Sequence, residues 1–247
     1  MRGVTILRPL PIVSIDDFYG TGSEYLLTPD PKEVWVADNT GTGSIDLDLG
    51  EPTEIDTIFL GYTNAAETAT WTITKTDGGV TVLQAVSAMC VAGGKGPRFH
   101  ALARLPAPVL AQEIRLTITQ PATAVPLQAG VLMVGKRFEH AYQFKSGRRP
   151  LDMSERADLV SGGFGFAPGA IKSSYRFTFA DLDDAQLDEL WHEIMQVGLQ
   201  HPVMLAEGGE GEISHNQLHY GVFDRFEPYE REDPADTRWA LSMQDWV

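Results

Sequence analysis

Two histidines four residues apart, His215 and His219, form the first pair whose types and spacing could do chemistry. On a helix they would share a face and could grip a metal ion. Here they lie between a glycine turn and an alternating run, where even spacing also places them on one face. No acidic third ligand accompanies them, so they read as structural or surface histidines and no metal is expected. Glu189, His192 and Glu193 flank the apolar stripe of a helical segment and read as its polar face, with His192 and Glu193 pointing in different directions. Carboxylate pairs such as Asp46 with Asp48 and Asp183 with Asp184 abound, yet nothing selects one pair held across a cleft as glycoside hydrolysis requires. There is no G-x-S-x-G, no fitting Cys–His pairing and no Walker phosphate loop. Gly162-Gly163-Phe164-Gly165 precedes a strand, so it lacks the helix dipole that holds anions and reads as a mobile loop ordered on assembly. No catalytic residue and no cofactor is assigned, and an enzyme is not expected.

Binding chemistry is better represented. Trp35, Asn39, Tyr62, Asn64 and Arg98 fall at or near the ends of strand-like runs. Aromatic faces with amide and guanidinium donors suit sugars, which offer C–H faces and hydroxyls. The alternative for Trp35 and Tyr62 is plain packing in the core or at its rim.

The elements that must position these residues are β-strands. In Ser44-Ile-Asp-Leu-Asp-Leu-Gly50, Ile45, Leu47 and Leu49 alternate with Asp46 and Asp48, the period of a half-buried strand. After a Glu51-Pro52 break comes a more apolar strand at 55–62. Further strands are expected at 34–37, 69–76, 80–85, 99–105, 113–119 and 130–134, with turns at 28–31, 38–41, 77–79 and 93–96. Asp77-Gly78-Gly79 between two β-rich runs is a hairpin signal. Eight short strands at this spacing make residues 1–135 an antiparallel sandwich or jelly roll.

The pattern changes after Gly135. Lys145 to Pro150 reads as a basic turn-rich loop, and Ser161 to Gly169 as a flexible loop carrying aromatics. At 174–179, Tyr175, Phe177 and Phe179 share one strand face and Arg176 and Thr178 the other. A helix follows, capped by Asp181 or Asp183, striped by Leu187, Leu190, Trp191, Ile194 and Val197, and ended by Gly198. Strands at 201–206, 218–226 and 237–244 complete a smaller α+β domain over 136–247, with a glycine turn at 208–211. The expected fold class is therefore mainly β, a sandwich followed by an α+β domain with one helix.

Composition bounds the partners. The chain carries 19 basic and 34 acidic residues, a net charge of −15, which disfavours nucleic acid and anionic lipid. The halves do not differ in sign: net −6 over 1–135 and −9 over 136–247. No run approaches the roughly 18 apolar residues of a membrane span, and the N-terminus does not read as a secretory signal. Cys90, the only cysteine, excludes an internal disulfide and reads as a small buried hydrophobe. Synthesis and folding in a cytoplasm are expected.

The first half resembles the discoidin, or coagulation-factor type C, group of galactose-binding-like jelly rolls. Trp35 in Glu33-Val-Trp-Val36, the run at 45–50, Ile55-Asp-Thr-Ile58, Glu113-Ile-Arg-Leu-Thr-Ile118 and Ala129-Gly-Val-Leu-Met-Val-Gly135 carry the likeness in order. Modules of this kind bind sugars, lipids or proteins; the cysteine pair of extracellular vertebrate members is missing, which fits a bacterial or viral origin. The second half resembles the distal-tail and minor tail proteins at the tail tip of long-tailed bacteriophages, built on the tail-tube fold. Gly147-Arg148-Arg149-Pro150, the strand at 174–179, the helix from Ala185, Pro202-Val-Met-Leu205 and the paired C-terminal strands carry this likeness. The two together imply a virion protein of the tail tip, assembled in the host cytoplasm. It would form or join a homo-oligomeric ring around the tail lumen, contact tube, hub and tape-measure proteins, and present an outward jelly roll to host-surface glycan. The alternative is a stand-alone carbohydrate-binding module or adhesin.

Overall fold

The computed structural model describes residues 3–17, 20–93, 99–122, 125–141, 146–208, 213–231 and 237–246. Arg98, Lys145 and the turn residues 94–96 and 209–211 lie outside the described residues. The fold is mainly β with antiparallel pairing and one α-helix. The chain divides into two compact units, Val4–Glu139 with Val203–His219, and His140–Pro202 with Tyr220–Val247. Residues 203–219 thus pack with the first half of the chain, although sequence alone groups them with the second.

In the first unit one sheet orders Val131–Gly135, Thr42–Thr63, Phe99–Thr119, Thr70–Lys75 and Thr81–Ala88, with Ser14–Asp17 also paired to Thr42–Thr63. A small sheet joins Gly20–Thr21, Trp35–Ala37 and Gln128–Ala129. Residues 4–7 pair with 204–207. The expected alternation holds: Ile45, Leu47 and Leu49 are buried beside Trp71, Leu116 and Ile118. Arg115 grips Asp46 on the outer face with two bonds of 2.6 Å. The expected hairpin at 77–79 joins its two strands, with Gly78 and Gly79 at φ 70° and 117°.

The Glu51-Pro52 break is a bend within one strand. Thr42–Thr63 and Phe99–Thr119 pair along their lengths, with register shifts between Asp48 and Thr53, Ile55 and Thr57, and Leu60 and Thr63. Gly50 takes φ 82° and donates its N–H to Asp48 Oδ1 at 2.7 Å. A bulge absorbs the ladder bond that Pro52 cannot make, so the strand bends and continues.

In the second unit, Gly147–Asp152 pairs with Ile171–Leu182, which pairs with Thr237–Asp245, which in turn pairs with residues 221–226. The segment read as a basic turn, 147–150, is therefore an edge strand. The glycine-rich stretch read as a loop supplies half of a hairpin, Glu155–Asp158 against Phe164–Ala167. Tyr175, Phe177 and Phe179 face the core, as their spacing requires. The helix Asp184–Val197 starts at a capping box, in which Asp183 accepts from the Gln186 N–H and the Gln186 side chain accepts from Asp183 N–H. Leu187, Leu190, Ile194 and Val197 are buried. Trp191 departs from the expected stripe: it is half exposed and lies against Trp239 and Tyr229 at 5.6 and 6.0 Å. Glu189 and His192 are exposed on the polar side.

Candidate functional site

Among the residues singled out for sugar, Trp35 takes the packing alternative. Its ring is fully buried and its indole N–H donates to Asp17 Oδ2 at 2.6 Å, so no face is left for a ligand. Asn39 is a loop brace whose Oδ1 accepts from Gly41 N–H, Thr42 N–H and the Thr42 hydroxyl. Asn64 spends both ends of its amide, donating to Pro126 O and accepting from Gln128 N–H at 2.9 and 2.7 Å. Arg98 lies outside the described residues.

Tyr62 is different. It sits at φ 56°, a left-handed conformation that costs a bulky residue roughly 1–2 kcal/mol, and it is only partly buried. The adjoining loops are tied together by Gln120, a buried residue for which the sequence carried no signal. Its Oε1 accepts from Ala66 N–H and its Nε2 donates to Thr40 O, both at 2.9 Å.

Under Tyr62 lies a histidine that sequence reasoning missed. His100 Nδ1 accepts from the Tyr62 N–H at 3.2 Å, and the two rings meet edge to face at 4.9 Å. His100 also stacks on His215 at 4.8 Å and 15°. His215 belongs to a 3-10 turn, His215–Gln217, whose first N–H donates to Ala92 O at 2.8 Å. His219 does not join it in a grip: its Nε2 lies 3.4 Å from Glu207 Oε1 instead. Among the described residues no group of three or more His, Cys, Asp or Glu could hold a metal ion.

Burial disfavours charge on His100 and His215. Burial, and then the neighbouring His215 and His219, push His100 from 6.5 down to about 3, and burial also lowers His215. Because Nδ1 of His100 accepts from a backbone N–H, protonation would break that bond. Folded His100 stays neutral to about pH 3 while the unfolded chain takes the proton near 6.5. Its contribution to stability is therefore complete above pH 6.5 and is lost as pH falls towards 3. Thermal unfolding across that window should show Tm dropping with acid, and His100→Gln, which keeps an acceptor without the titration, should flatten the drop. Cys90, close in sequence, bonds to Ala66 O at 3.5 Å, and burial with nearby Glu67 pushes its thiol up to about 11. It is a protonated packing residue, not a nucleophile.

A buried polar atom at this end, His215 Nδ1, has no hydrogen bond among the described residues. An imidazole edge of this kind, one ring removed from the partly buried Tyr62 across His100, offers an acceptor or donor for a hydroxyl near an apolar face.

No protein-family model and no curated relative matches the sequence. Solved structures do align with about half of the chain. The family 32 carbohydrate-binding module of NanJ from Clostridium perfringens, in complex with galactose, is 14% identical, with 51% of this chain and 93% of that one covered at a TM-score of 0.40. A chitosan-binding module of a chitosanase/glucanase from Paenibacillus sp. IK-5 is 13% identical, covering 51% and 98%, TM-score 0.41. Reduced XRCC1, solved bound to the DNA polymerase β catalytic domain, is 18% identical, covering 53% and 98%, TM-score 0.40. Likenesses of this size carry no argument about what the chain binds.

Proposed function

We propose that the chain is a non-catalytic glycan-binding protein whose first unit takes a neutral sugar at the Tyr62–His100–His215 end. The observation that carries the reading is the buried Nδ1 of His215, without a hydrogen bond among the described residues, one ring away from the partly buried Tyr62 across His100. An unmade bond at a buried polar atom costs about 1–3 kcal/mol, which a ligand hydroxyl would recover once the atoms that cover Nδ1 move aside. The strained backbone at Tyr62 supports the same reading, since strain of this kind collects at binding sites. Tyr62→Gly is the informative variant, because glycine is at ease at φ 56° and the fold is retained while the ring is lost. Calorimetric titration with galactose and other neutral sugars should give binding that weakens about tenfold in Tyr62→Gly, equivalent to about 1.4 kcal/mol. Absence of binding to every neutral sugar, or equal binding by the variant, would sink the reading.

A second reading, a structural protein of a phage tail tip within the virion, draws support from surface apolarity in the second unit. Leu159, Phe164, Phe166 and Ile171 around the hairpin are 49–70% exposed, and Met195 on the helix is 66% exposed. Exposed apolar groups on this scale suit a subunit that buries them on joining a ring and its tube, hub and tape-measure neighbours. Light scattering and electron micrographs of the chain with tail partners test it. A monomer at high concentration that forms no ring rejects it.

A further inference from the structure

The second unit contains a groove of about 430 Å³, open to one side, whose lining includes Arg148, Arg149, Arg176 and Arg225. Three of these guanidinium groups, those of Arg149, Arg176 and Arg225, share one face on a chain whose net charge is −15, while Arg148 lies opposite Tyr175. Sheet register brings them together. Arg176 lies opposite Gly147 on one side and Ser242 on the other, and Ser242 lies opposite Arg225. Arg149 lies opposite Ser174. Directly paired residues share a face, so Arg149, Ser174, Arg176, Ser242 and Arg225 form one polar surface on the side away from Tyr175 and Phe177. Two acidic residues temper it. Glu227 accepts from Arg176 at 3.0 Å and from Arg225 at 2.6 Å, while Asp224 accepts from Gln244 Nε2 at 2.6 Å. Arg149 makes no ion pair among the described residues.

We infer that this groove binds a short acidic oligosaccharide through its carboxylates. Planar guanidinium forks match carboxylates two bonds at a time, and Glu227 already occupies such a place between Arg176 and Arg225. The hydroxyls of Ser174 and Ser242 add neutral donors and acceptors for sugar hydroxyls. The groove is far larger than an inorganic anion and lies within the usual range for ligand pockets. Long nucleic acids are disfavoured: beyond about 8 Å the local positive charge is screened, and the chain as a whole carries a net charge of −15. The inference concerns a different unit from the Tyr62 site and stands or falls separately.

The full chain should be titrated with trigalacturonate, with a neutral trisaccharide, with inorganic phosphate and with a hexaglutamate peptide. The uronate is expected to bind, more weakly as salt is raised, and at least tenfold more weakly in Arg149→Gln and in Arg225→Gln, with Tyr62→Gly unchanged. Arg149→Gln removes no ion pair among the described residues, so it remains informative even where Arg225→Gln disturbs Glu227. Binding of the neutral sugar by Tyr62→Gly as tight as that of the uronate, or equal binding of phosphate or of the peptide, would overturn the inference, as would unchanged uronate affinity in folded Arg149→Gln.

Discussion

Replacing Trp35 by alanine is expected to cost about 3–5 kcal/mol of folding stability and to act on ligand binding only through that loss. The ring is fully buried in the sandwich unit, packed so closely that a Cβ at Gly43 would come within 2.7 Å of its Cη2 atom. Removing it leaves a cavity that strands on either side cannot close, and it strips Asp17 of the 2.6 Å bond from the indole N–H. Trp35→Phe should lose distinctly less, because most of the volume stays. Urea unfolding of the three proteins measures this. A Trp35→Ala protein as stable as the parent but unable to bind sugar would restore the tryptophan to the ligand site and contradict its placement here.

The second large effect is expected at Asp56. This carboxylate is 5% exposed and accepts from Arg137 N–H at 2.9 Å and the Thr57 hydroxyl at 2.8 Å, with Arg137 Nη1 at 3.6 Å. Arg137 also donates to the backbone oxygens of Asp56 and Leu105. Asp56→Ala leaves Arg137 with Glu139 at 3.3 Å as its carboxylate partner but orphans the Arg137 N–H and the Thr57 hydroxyl in a buried place, and should cost about 2–3 kcal/mol. Asp46→Ala is the control. Its pair with Arg115 has shorter, bidentate contacts, but the side chains are 26% and 40% exposed, and the expected loss is below about 1 kcal/mol. Denaturant midpoints for the two variants separate the cases; equal losses would show that burial does not govern these pairs.

Much of the fold was legible because alternation is a local property. Ile45, Leu47 and Leu49 turn inward and Asp46 and Asp48 outward for the same reason that Tyr175, Phe177 and Phe179 do: successive residues of a strand point to opposite faces. The helix was legible from its cap, stripe and terminal Gly198. Local signals failed where a partner strand decides the outcome. Gly50 and Pro52 look like a break, yet pairing with Phe99–Thr119 carries the strand through the bend. Arg148 and Arg149 look like a turn, yet Ile171–Leu182 draws them into a sheet edge.

Of the sugar-binding candidates, Tyr62 and Asn64 do lie at a strand end, but the sequence could not tell a partly buried ring from a fully buried one. Trp35 and Tyr62 are both aromatic residues near strand termini; only the packing of Asp17 and Gly43 around one, and the φ of 56° at the other, distinguishes them. By itself the chain determined that it would form antiparallel strands with an apolar inner face and acidic outer face, since that depends on residue order alone. Tertiary structure decided which distant residues meet: His100 with His215, Gln120 with Ala66 and Thr40, and Arg149 and Arg176 with Arg225. The reason is that these meetings depend on strand register and loop closure, which are set by the packing of the whole sheet and leave no periodic trace in the sequence.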